Sequence, residues 1–168
     1  TPLNKKNIAA EVGGFTKSNS FTGAQASINW KNRNLFKGAE KLNIKTYGAF
    51  ETSPNDSLKK NNNFRLGAEV SMSIPRLITS FNIADTGYYP PVTKFLLGFE
   101  WMRRQLLFTK NFIRGQYDLT WRRKTNRIHT LAPVSITYNN ASQFSDEYLQ
   151  KIIQFPVLEF STRPELIL

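Results

Sequence analysis

The sequence predicts an all-β protein, an antiparallel up-and-down meander of about eight strands. Two observations predict it: apolar residues recur at every second position through most of the chain, and the alternating segments are separated by turn chemistry. A period of two places successive side chains on opposite faces of a strand. The 168 residues suit one domain. Thirteen Phe, six Tyr and three Trp must be buried in a core, a partner or a lipid.

The elements follow in order. The first strand, 7–17, carries Ile8, Ala10 and Val12 on one face and ends before Ser18-Asn19-Ser20. The second, 21–31, sets Ala24, Ala26, Ile28 and Trp30 against Gln25, Ser27, Asn29 and Lys31. A tight polar turn leads into the third, 40–51, where Leu42, Ile44, Thr46 and Phe50 oppose Asn43, Lys45 and Tyr47. Past a long polar loop, the fourth strand, 64–74, opposes Leu66, Val70 and Met72 to Arg65, Glu69 and Ser71. After the connection 77–91 the fifth, 93–104, has Phe95, Leu97, Phe99 and Trp101 on one face, with Leu96 the exception among Lys94, Gly98 and Glu100. The sixth, 112–123, opposes Ile113, Tyr117, Leu119 and Trp121 to Arg114, Gln116 and Asp118; the seventh, 130–139, carries Val134, Ile136 and Tyr138. Ser145 as N-cap, with Asp146 and Glu147 in the first turn, predicts a short helix over 145–154 that Pro156 stops. A last strand is expected over 156–168. The separators are rich in Asn, Ser, Pro and Gly, as turns require.

Composition removes several function classes. The chain has no Cys, so a disulfide scaffold, a thiolate zinc site and a cysteine nucleophile are out. With His129 the one histidine, no multi-His metal site is available. Glu11, Glu51, Glu69, Glu100 and Asp118 lie on strands at no spacing that identifies an acid/base pair; the last three, with Arg65, Arg114 and Arg122, are expected to form charge networks. No catalytic, cofactor or metal residues are therefore named, and His129 is expected to hydrogen-bond near a strand start. No stretch reaches the ~18–20 apolar residues of a membrane helix.

Alternation is shared by soluble sheets, whose apolar face packs on another layer, and by outer-membrane barrels, whose apolar face meets lipid. Three features favour the barrel. Polar faces carry long charged or amide side chains together with small residues, Gly67, Gly98 and Gly115. Trp30, Trp101, Trp121 and Tyr138 stand near the ends of their apolar faces, where an aromatic girdle belongs. Connections alternate roughly between short and long, with 77–91 long on the side that should be short. The lipid-facing residues are then Ala24, Ala26, Ile28, Trp30, Leu42, Ile44, Leu66, Val70, Phe95, Leu97, Phe99, Trp101, Leu119 and Trp121. Two other readings stay open. One is a soluble β-barrel that carries a lipid. The other is a basic OB-like nucleic-acid module, suggested by a net charge of +11 and clusters such as Arg122-Arg123-Lys124. Against the last, the aromatics alternate onto the apolar face while the charges sit opposite or in turns, so no nucleic-acid partner is expected.

The stretch from Phe21 to Glu51 is more specific. Asn32, Arg33, Asn34, Leu35, Phe36, Gly38, Glu40 and Leu42, with Lys37 where glycine is common, resemble an early hairpin turn of the BamA/TamA-type outer-membrane assembly barrels, the bacterial surface antigens. Pro75-Arg76-Leu77, Pro91-Val92-Thr93 and His129 to Pro133 look similar too, and the Lys- and Asn-rich flavour favours the TamA-like branch. The resemblance implies an outer-membrane location and roughly half of a larger transmembrane barrel. It implies no enzyme activity and no cofactor, but a role in assembling or inserting β-barrel proteins, or in translocation, through a lateral seam at the first strand. The seam residues would be Ile8, Ala10, Val12, Gly13 and Gly14, the glycines weakening the strand or else marking a bulge. Implied partners are outer-membrane lipids or lipopolysaccharide, client outer-membrane proteins and a periplasmic protein. Gly38 is expected to supply the positive φ of the turn, and Leu35 and Phe36 to press into the membrane interface.

Overall fold

A computed structural model describes residues 4–17, 21–52, 62–79, 89–104, 108–124, 127–145, 153 and 164–167. Eight strands form one sheet in sequence order: β1 (Lys6–Thr16), β2 (Thr22–Asn32), β3 (Lys41–Thr52), β4 (Asn62–Ile74), β5 (Val92–Arg104), β6 (Phe108–Lys124), β7 (Arg127–Ser142) and β8 (Glu165–Ile167). Each pairs antiparallel with the next. The predicted all-β meander is thus the observed fold. Of the helix expected over 145–154, only Ser145 and Ile153 are among the described residues, and of the last strand only Pro164 to Ile167. β6 and β7 run longer than the alternation suggested, each starting three or four residues earlier.

Every hairpin joins chemically like faces. Trp30 pairs with Ile44, Ile44 with Val70, Val70 with Leu97, and Leu97 with Gly115, so the apolar residues make one continuous surface across the sheet. Gly115 therefore belongs to the apolar face, between Leu97 and Ile136, and not to the polar face expected for it. A one-residue slip anywhere would turn a strand inside out, and the register is unbroken from β1 to β5. It shifts between Tyr117 and Leu119, where Ala132 and Pro133 on β7 oppose one residue of β6. Pro133 has no N–H for the ladder, and a bulge is where a strand tolerates that.

The two faces differ in cover, and in an unusual direction. Along β4 and β5 the apolar side chains are the exposed ones, Leu66 at 57% and Leu97 at 63%. Arg65, Glu69, Lys94 and Glu100, on the polar face, are half-buried and Ser71 is 8% exposed. The sheet curls around its polar side chains and turns its apolar ones outward.

Aromatic side chains mark two levels on that outer face. Trp30, Trp121 and the stacked pair Phe95–Tyr117 (5.1 Å) lie toward the rim where β1 starts, the lower rim. Phe50–Phe64 (4.9 Å), Trp101 and Tyr138 lie toward the upper rim. From Thr93 to Arg103, ten residue steps at ~3.3 Å make ~33 Å of strand.

Leu119 departs from the expectation that it faces lipid: it is 1% exposed. Residues 75–79 fold back over this corner of the outer face. Thr93 Oγ1 donates to Arg76 O (2.7 Å) and accepts from Ile78 N–H (3.0 Å), and the Tyr117 hydroxyl donates to Ile78 O. This strap roofs Thr93, which is 0% exposed, and its strand partner Leu119. Alternation gave the face correctly but says nothing of what a loop lays on top of it.

Candidate functional site: an open strand edge, a turn and an inward polar wall

β1 pairs with β2 from Lys6↔Asn32 to Thr16↔Thr22, and among the described residues no strand pairs with its other edge. Its N–H and C=O groups on that edge form a row available to a further strand. Ile8 and Val12 project outward, Val12 at 84% exposure, and Ala10 is exposed between them. Gly13 and Gly14 continue in register against Gln25 and Ala24, so they are neither bulge nor turn. A Cβ at Gly13 would meet nothing within 4 Å, and one at Gly14 only Gly23 O at 3.7 Å. Neither glycine is demanded by packing.

The turn between β2 and β3 is organised by two side chains. Glu40 Oε2 accepts from the N–H of Gly38 (2.9 Å) and of Phe36 (3.3 Å), while its own carbonyl accepts from Leu35 N–H (3.2 Å). Asn34 Oδ1 accepts from Ala39 N–H (3.1 Å), and Asn32 Oδ1 from Asn34 N–H (3.3 Å). Arg33 N–H donates to Lys5 O (2.8 Å), tying the turn to the start of β1. Backbone N–H groups, its own first and then those of Gly38 and Phe36, hold the Glu40 carboxyl below the usual carboxylate range. The positive φ angles fall at Lys37 (66°) and Ala39 (62°), not at Gly38. At Gly38 a Cβ would lie 2.3 Å from Glu40 Oε1, so a side chain there would make that carboxylate move aside. Phe36 is exposed.

On the inward wall, Tyr47, Gly67 and Glu100 stand side by side on β3, β4 and β5. Tyr47 lies across Gly67, whose Cβ would be 2.3 Å from its ring, and its hydroxyl donates to Glu100 Oε2 (2.5 Å). Arg65 Nε stands 3.6 Å from Glu100 Oε1. On β6, Arg114 donates to Gln116 Oε1 (2.6 Å), and Gln116 to Asp118 Oδ1 (2.7 Å). Near the upper rim Lys17 Nζ donates to Glu51 Oε1 (2.6 Å). Of the expected charge networks, Arg65 meets Glu100, and Arg114 reaches Asp118 only through Gln116; Glu69 stands opposite Lys45 and Gly98 instead of an arginine, and Arg122 sits over the Tyr89 ring at 4.8 Å. His129 stacks on Trp121 (5.5 Å) across the β6–β7 pair. The Tyr47–Gly67 contact went unforeseen because it needs the register: only the pairing of 47 with 67 reveals why a glycine stands there.

Among the described residues no three His, Cys, Asp or Glu side chains gather as a metal site, and no helix is long and apolar enough to cross a membrane, which says nothing of strands. Comparison with protein-family models, curated proteins and solved structures gives no match.

Proposed function

We propose that this chain is a segment of an outer-membrane β-barrel that takes part in inserting β-barrel proteins into that membrane, with the free edge of β1 as the template for an incoming strand. One observation carries the membrane part: along β4 and β5 the apolar side chains face outward and exposed, while their polar neighbours are the covered ones. In water such a surface is an unpaired apolar patch far larger than monomers tolerate; in lipid it is the stable arrangement, and water in the lumen serves the polar wall. The soluble lipid carrier requires the opposite, apolar side chains inside. The assembly role rests on the β1 edge, unpaired among the described residues, and on the resemblance of Asn32 to Leu42 to the surface-antigen turn. Outer-membrane lipids, lipopolysaccharide, client barrels and a periplasmic protein are the partners this reading implies. Lys5, Lys6, Lys31, Arg33, Lys37 and Lys41 crowd the lower rim, suited to anionic partners there.

The test is partitioning of the parent protein between detergent and buffer, read by heat-modifiable gel migration. A detergent-bound β species whose mobility shifts on boiling is expected. A monodisperse monomer in plain buffer overturns the reading.

A further inference from the structure

We infer that the inward wall near the lower rim is a binding site for a water-borne phosphate-type anion of at least two negative charges. A concavity of about 550 Å³ lies there, lined by Lys31, Arg33 and Lys41 with Ser71, Ser73 and Asn43 among its polar neighbours. Register builds it as a grid. Lys31 is opposite Asn43, Asn43 opposite Ser71, and Lys41 opposite Ser73, so two rows of side chains on three strands converge on one hollow. None of the lining residues is acidic. The nearby carboxylates have other partners: Glu69 is opposite Lys45, and Asp118 is opposite Lys94 and accepts from Gln116. Glu40 is turned to the backbone of its own turn. Three cations therefore share a hollow without a counter-charge from the described residues.

Ser71 and Ser73 add hydroxyl donors at the floor. Lys and Arg charge and hydroxyl donors around one concavity make the donor set that phosphate oxygens select. A membrane lipid is not the source. The same strands turn Trp30, Leu42, Ile44, Val70 and Met72 to the outer face, so on the membrane reading proposed above, on which this step rests, the hollow opens on the opposite side of the sheet from the bilayer.

The test uses the parent protein in zwitterionic detergent, titrated with sodium pyrophosphate at constant ionic strength and followed by calorimetry. Saturable binding is expected, weakened roughly tenfold by Lys31→Gln and by Lys41→Gln, and more by the pair, as loss of a charge-assisted contact predicts. Lys110→Gln, on the same wall but near the upper rim, should leave it unchanged. Heat-modifiable migration confirms that each variant folds. Equal weakening by Lys110→Gln, or no weakening by the Lys31/Lys41 pair, overturns the site and leaves only bulk charge attraction. Displacement of pyrophosphate by phosphatidylglycerol added to the micelle overturns the water-borne source. Stronger binding of a hexaglutamate peptide than of pyrophosphate overturns the phosphate chemistry in favour of an acidic protein segment.

Discussion

Glu40 and Lys37 govern the β2–β3 turn through opposite effects. The Glu40 carboxylate gathers the N–H groups of Phe36 and Gly38, which is why its folded pKa lies below the ordinary value. A carboxyl depressed on folding stabilises above its unfolded pKa, about 4.3, and that stability is lost as pH falls through the lower folded value. Amide exchange at Phe36 and Gly38 should therefore accelerate, relative to the strand amides, as pH drops below ~4, and Glu40→Gln should show the faster relative rate already at neutral pH. A protection pattern indifferent to both would remove Glu40 as the organiser. Lys37 carries the cost instead, since φ of 66° is left-handed backbone that a side chain disfavours by ~1–2 kcal/mol. Lys37→Gly should raise stability by up to about 1 kcal/mol after the entropy glycine brings to the unfolded chain, measured as a shift in the denaturation midpoint. The sequence resemblance had glycine as common at this position, and the φ angle supplies the reason.

Among the strands, β1 and the β3–β4–β5 triplet separate the positions where a side chain is free to change from those where it is not. At Gly14 a Cβ meets only ordinary contact, and valine suits an extended backbone. Gly14→Val should therefore fold normally yet slow client assembly, because a stiffer β1 yields its edge less readily; unchanged assembly kinetics sink the seam role. Gly67 is the contrary case. Its missing side chain is the space that the Tyr47 ring occupies on the way to Glu100. Gly67→Ala should cost ~1–3 kcal/mol by overpacking, and Tyr47→Phe ~1 kcal/mol by loss of one hydrogen bond, both read from unfolding in detergent. This contrast shows where the sequence is legible. Period-two alternation located every long strand and assigned nearly every side chain to its face, because a strand's faces are set locally. It could not see the strap that buries Leu119, the Tyr47–Gly67 contact, or the Lys31–Lys41 grid, because those depend on which residue of one strand stands beside which residue of another. The turn lay between these limits: its residues were recognisable as a motif, but the roles of Gly38 and Lys37 only appear once Glu40 is placed.

At the scale of the whole molecule, the outward apolar surface makes a demand on its environment that a single substitution can read. Leu97 is near the centre of β5, between Phe95 toward the lower aromatic level and Trp101 toward the upper, and it is 63% exposed. If that surface met water, Leu97→Arg would place a charge on an already open position, an exchange that usually changes stability by less than ~0.5 kcal/mol. If it meets lipid, the same arginine lies near the bilayer midplane, where it costs ~2–4 kcal/mol. Leu96, one residue away, faces the inward wall opposite Gln116 and Ser71. There Leu96→Arg keeps its charge among polar groups and water, so its cost should be the smaller of the two. The proposed membrane orientation therefore predicts an asymmetry between neighbours: folding of the parent protein into lipid vesicles fails or weakens for Leu97→Arg and persists for Leu96→Arg. Equal tolerance of both would place the apolar face out of the bilayer, and greater sensitivity at Leu96 would invert the barrel and make the apolar wall its interior.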